Sequence, residues 1–249
     1  MNGKYRWCLL LAALVLLSGH LQAQALPKVS IQVGQAQQPG EMSTTLQIVI
    51  LMTVLALAPS ILIMITSFTR IVVVLSFLRH AMGIPQMPPN QLLVALALIL
   101  TFFVMSPVID QSYQEGIKPY LDGALPQDEA FDKAIGPFKQ FMLRQTREKD
   151  LALFVSLSGR ERPQNAEDIS LSTLVPGFVI SELRTAFQIA FVLFIPFLVI
   201  DMVVASVLMS MGMMMLPPVI VSLPFKILLF VLVDGWYLLV KSLVESFHM

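Results

Sequence analysis

Cysteine is almost missing from this sequence. The single copy, Cys8, stands near the start of the 249 residues, so an internal disulfide and a cysteine metal cluster are both excluded. Charge is scarce as well, at 13% of residues against roughly 25% in an ordinary soluble domain. The 16 basic and 16 acidic side chains cancel, which leaves no net field to gather nucleic acid. Only three histidines occur, His20, His80 and His248, widely separated in the chain. No H-E-x-x-H, G-x-S-x-G or P-loop string is present, so the expectation is a protein with no catalytic residues, no metal and no cofactor.

What the sequence has instead is apolar surface. Apolar residues make up 56% of the chain and the mean hydropathy is +0.78. One soluble core of this size cannot hide that much, so the expected class is an all-α membrane protein. Residues 1–25 read as a cleaved secretory signal: Lys4 and Arg6, an apolar stretch over 7–17, then the small-residue site Ala23-Gln24-Ala25. The alternative is an uncleaved anchor, although the apolar run is shorter than the ~20 residues a span needs. Residues 26–44, rich in Gln, Pro and Gly, read as a flexible periplasmic lead-in.

Two long helical hairpins are expected, with a polar helical segment between them. Residues 45–109 form the first, its apolar arms at 46–66 and 92–109 and its turn near Gly83, Pro88 and Pro89. Residues 110–173 hold 11 acidic and 8 basic side chains and read as the periplasmic segment. Within it Phe131, Ile135, Phe138, Met142, Leu151 and Phe154 recur at helical spacing. Residues 174–249 form the second hairpin, with a kink expected at Pro196. Four crossings then put both turns inside, in keeping with Arg70, Arg79 and His80 near the first.

Five charges interrupt the apolar stretches: Glu182, Arg184, Asp201, Lys226 and Asp234. An isolated ion there costs ~2.5–3.5 kcal/mol on insertion scales, so each must find protein or water. Glu182 and Arg184, two apart, point to different sides of a helix and need separate partners. Lys226 is the expected partner of Glu182, as a structural ion pair; an ion relay is the alternative. Met209, Met211, Met213, Met214 and Met215 crowd the second turn around Gly212, ahead of Pro217 and Pro218. Unbranched, polarizable side chains suit a surface that closes and re-forms, so a compliant seal is one reading and an ordinary buried turn the other. Met82-Gly83 followed by Pro88-Pro89 is echoed by Met211-Gly212 followed by Pro217-Pro218, which is either a duplicated hairpin or chance.

Longer strings carry a resemblance. Residues 67–79 (SFTRIVVVLSFLR), 85–91 (PQMPPNQ), 100–108 (LTFFVMSPV), 181–189 (SELRTAFQI) and 223–236 (LPFKILLFVLVDGW) together resemble the FliP/SctR family of type III export-gate subunits, flagellar branch. The resemblance runs from about Leu46 to the C-terminus. It implies a homo-oligomer that assembles with FliQ and FliR into a pore-forming gate, next to FlhB, FlhA and the basal body ring. It also implies an inner-membrane location with periplasmic exposure, and passage of unfolded rod, hook and filament proteins. By the same resemblance the methionine-rich loop is a pore gasket, and Glu182 with Lys226 an intrasubunit clamp. Ala190 departs from a position where the family more often has Gly. An injectisome subunit and an ion or small-molecule transporter using Asp201 and Asp234 are the rival functions.

Overall fold

Ile71, Val74, Leu75 and Leu78 follow the i, i+3, i+4, i+7 rule and are all buried, which makes one face of their helix the core seam. They belong to a computed structural model that describes residues 39–249 except 85, 160–164, 166, 167, 214, 248 and 249, with side-chain surroundings from residue 46 on. The signal read over 1–25 and most of the lead-in lie outside the described residues. Residues 39–44 are helical, so the lead-in read over 26–44 does not reach its expected end.

Among the described residues every regular element is helical. They are α1 (Pro39–Met64), α2 (Phe68–Ala81), α3 (Asn90–Ser112), a π-helical turn (Tyr113–Ile117), α4 (Lys118–Leu121), α5 (Gln127–Gln145), α6 (Glu148–Leu157), α7 (Leu171–Ser210), α8 (Pro218–Leu232) and α9 (Gly235–Glu245). The chain divides into two units, Met1–Thr53 and Val54–Met249. In the second, α7 is the central rod, with α2, α5, α6 and α8 packed on it. Its buried positions Leu174, Phe178, Glu182, Ala186 and Ala190 step by four, a single stripe that places a carboxylate in the seam. Ala190 packs in that stripe, so its methyl is accommodated.

The first hairpin differs from its expected form. Its arms are α2 and α3 around residues 82–89, whereas α1 is a separate helix that stops at Met64. The apolar side chains of Val54, Leu55, Ile61 and Leu62 are exposed, so that end of α1 gains nothing from packing within the chain. α2 does not stand out as an apolar arm because Arg70 and Arg79 lower its average hydropathy.

α7 runs unbroken for 40 residues, with Pro176 and Pro196 inside it, so Pro196 does not end the helix. At 1.5 Å per residue it is ~60 Å long, twice a ~30 Å hydrocarbon core. The second arm does break: α8 and α9 meet at 65°, where Asp234 adopts φ 52°. Gly235 follows because a Cβ there would sit 2.3 Å from the Phe230 ring. Among the described residues three helices are long and apolar enough to cross a membrane, or four spans result if α8 and α9 count as one bent span.

The polar segment forms α5 and α6, broken at Thr146 and Arg147. Met142 is buried as its spacing suggests, but Phe131 is exposed and Phe141 takes the core position. Phe141 meets the Phe178 ring edge-on, at 5.9 Å between centroids, which docks α5 on α7.

Candidate functional site

The second turn is shaped by its glycine. α7 ends with Met211 as cap and Gly212 at φ 75°, the Gly212 amide donating to Met209 O and the Met213 amide to Leu208 O. This is the paired hydrogen-bond pattern that terminates helices at a left-handed glycine. Pro217 and Pro218 then start α8, where a missing N–H costs nothing. The first turn repeats the sequence of events: Met82 caps α2, Gly83 has φ 79° and donates to His80 O, and Pro88-Pro89 lead into α3.

Met209, Met211 and Met213 are exposed and Met215 is 100% exposed, while Met214 lies outside the described residues. The buried-turn alternative therefore fails for the four described methionines. Nothing within the chain packs over these four side chains, so any cover for them comes from outside it. Below the turn, α7 and α8 enclose an apolar groove of about 470 Å³ lined by Val203, Val207, Leu208, Val221 and Phe225 among others.

The expected Glu182–Lys226 pair is not formed. Hairpin register is the reason: Lys226 lies eight residues past the start of α8, ~12 Å from the turn, whereas Glu182 lies ~42 Å before the end of α7. The residue level with Lys226 is Asp201, nine before Ser210, and its Oδ2 accepts from Lys226 Nζ at 2.6 Å. Ser222 donates to the other oxygen of Asp201, and Lys226 Nζ also donates to Ala81 O at 3.2 Å. Asp201 is thus held on both oxygens.

Glu182 is taken by Arg70, with relative exposures of 0% and 2%. Arg70 Nε donates to Glu182 Oε2 at 2.9 Å and its Nη2 to Oε1. Nη2 also reaches Gln145 Oε1, and Nη1 donates to Ser246 O and Oγ at 2.7 and 3.0 Å. All five guanidinium donors are used, the condition under which a charge is tolerated in a core. The group lies 3.9 Å from the Phe247 ring centre, so α2, α5, α7 and the chain's last turn converge on it. Arg70 is accordingly a core residue and gives no support to a cytoplasmic first turn.

Arg184 faces a different partner, Asp150, at 3.8 Å. Asp150 is buried and accepts from Ser181 Oγ at 2.8 Å, while Ser181 Oγ accepts from the Arg147 amide, which fixes α6 to α7. Asp234 makes the bend between α8 and α9. Sequence reading missed Arg70, Gln145, Ser181, Ser222 and Ser246. Arg70 carried a visible signal, standing four residues before Val74 on the buried seam. Among the described residues no group of three or more His, Cys, Asp or Glu is placed to hold a metal ion.

A family model described as the FliP family matches residues 51–243. The flagellar biosynthetic protein FliP of Bacillus subtilis (strain 168) is 57% identical over 217 residues, covering 87% of this chain and 98% of the relative. The proteins of the same name from Caulobacter vibrioides and Aquifex aeolicus are 56% and 46% identical, covering 92% and 96% of this chain and 86% and 98% of their own lengths. A family match over residues 51–243 and identities of 46–57% over most of the chain place this all-α membrane protein in the FliP family of flagellar biosynthetic proteins.

Proposed function

We propose that the chain is a pore-forming core subunit of the flagellar protein export gate, and that its methionine turn is the seal. The observation that carries this reading is the turn itself: four described methionines, exposed and without a charge among them, at the tip of a hairpin braced from inside. A seal around an extended, chemically varied chain needs side chains that yield without offering a fixed charge, and methionine meets that need. One copy cannot enclose a passage, so several copies assemble, joined by FliQ and FliR, and FlhB, FlhA and the basal body ring surround them. The apolar groove between α7 and α8 offers those neighbours a seat. α7, too long for a single ordinary span, favours a gate that extends from the inner membrane toward the periplasm.

The cargo is unfolded rod, hook and filament protein, moved by energy from partners and not by chemistry in this chain. Asp201 is engaged by Lys226 and Ser222, an arrangement that supports a bracing role in the hairpin over the ion-transporter reading. The test is cross-linking at the tip. Met215→Cys in the assembled complex should give linked copies of this chain under mild oxidation, because the tips converge on one axis. Absence of linked copies, with the complex intact, would place the tips apart and remove the seal.

A further inference from the structure

Lys226 belongs to the second hairpin, yet one of its bonds leaves that hairpin. Its ammonium, buried to 2% exposure, donates to the backbone oxygen of Ala81, the last residue of α2. That oxygen is among the carbonyls a helix end leaves without an intrahelical partner, and it lies at the negative end of the helix dipole. The contact continues one turn further. A Cβ on Gly83 would lie 3.4 Å from Val219 Cγ1 and 3.8 Å from both Leu223 Cδ1 and Lys226 Nζ. The first turn therefore rests on the opening turns of α8, the segment that leaves the methionine turn.

We propose that Lys226 couples the two hairpin turns, so that the methionine turn moves together with the first turn or not at all. This rests on the reading of the methionine turn as the moving part of the gate. The ammonium holds Asp201 of α7 and Ala81 of α2 at once, and sliding α8 against either helix breaks a charge-assisted bond to a buried cation. Lys226 acts as a positioning residue and touches no cargo. Gly83 is the second component: its φ of 79° is one that side chains rarely adopt, so glycine holds the turn in place against Val219 and Lys226.

Hydrogen exchange on the full-length protein in lipid nanodiscs tests the coupling without reference to conduction, so failure of the seal and failure of the coupling are separately visible. The reporters are the hydrogen-bonded amides of Gly83 and Met87 in the first turn and of Gly212, Met213 and Leu216 in the second. Lys226→Met removes the ammonium and keeps an unbranched side chain one atom shorter. It should speed exchange in both turns by roughly tenfold or more, the loss expected when a bond to a charged group goes. Faster exchange in the second turn alone, or in neither, overturns the proposal. Should that variant fail to fold, Gly83→Ala reads the coupling in the opposite direction, since coupling is reciprocal. Exchange at Gly212 and Met213 should then rise several-fold, and a change confined to residues 83–87 overturns the proposal.

Discussion

Arg70 and Glu182 stand 112 positions apart and meet as a two-point ion pair inside the core, one on α2 and the other on α7. Each occupies a place in an apolar stripe, four residues from Val74 and Phe178 respectively, so packing the two stripes brings the charges together. The remaining guanidinium donors reach α5 and the last turn of the chain. One side chain thereby fixes the mutual placement of four segments.

Arg70→Ala leaves the Glu182 carboxylate buried without its counter-charge, which costs about 3–5 kcal/mol in comparable sites. Denaturant unfolding in detergent should show that loss, together with low steady-state protein. Exchanging Glu182 and Lys226 should rescue nothing, because the two never meet. Arg70→Glu combined with Glu182→Arg should recover only part of the loss, since the bonds to Gln145 and Ser246 do not move with the charge. Full rescue by the Glu182–Lys226 exchange would refute the pairing.

Gly116, in the π-helical turn, packs where an added Cβ would lie 2.5 Å from Ala134 N and 2.7 Å from Ala130 O. Backbone cannot step aside as a side chain can, so Gly116→Ala should destabilise by about 1–3 kcal/mol. Gly136, inside α5, has open space around it, and Gly136→Ala should stabilise by up to about 1 kcal/mol through helix propensity. Melting temperatures of the two variants should move in opposite directions.

Gly235 poses a different problem, because the atoms in its way belong to the Phe230 ring, which can be trimmed. Gly235→Ala should disturb the bend between α8 and α9 and lower the melting temperature. Adding Phe230→Leu should restore part of it. No restoration would mean that the glycine serves the backbone conformation beside Asp234 and not the ring contact.

Much of this was legible in the residues. Long apolar runs announced helices of spanning length, Gly212 and the two prolines after it announced a turn, and Glu182 and Arg184 announced separate partners by their spacing. The partners themselves were not legible. Pairing Glu182 with Lys226 ignored register, since antiparallel arms match residues at equal distance from the turn, which selects Asp201. Arg70 was set aside as a topology signal because charge near an apolar run reads the same whether it faces water or a buried carboxylate. The 65° bend was invisible for a related reason: apolar content does not record that Asp234 takes a left-handed backbone. Phe131 and Phe141 differ only in which side of α5 meets α7, and the period of a helix does not say which face has a neighbour.

The turn's chemistry separates flexibility from greasiness. Replacing Met209, Met211, Met213, Met214 and Met215 by leucine keeps the surface apolar but stiffens it at the branched carbon. Flagellar export measured by secretion of hook protein should fall several-fold, with cells still able to hold their ion gradients. Unchanged secretion would show that any apolar side chain suffices.

The most direct measurement is ionic conductance across a planar bilayer of the assembled complex, with and without alanine at all five methionine positions. The intact complex should stay closed in the absence of cargo, and the alanine complex should conduct steadily. Equal, closed behaviour of both complexes would contradict the claim that this turn is the seal.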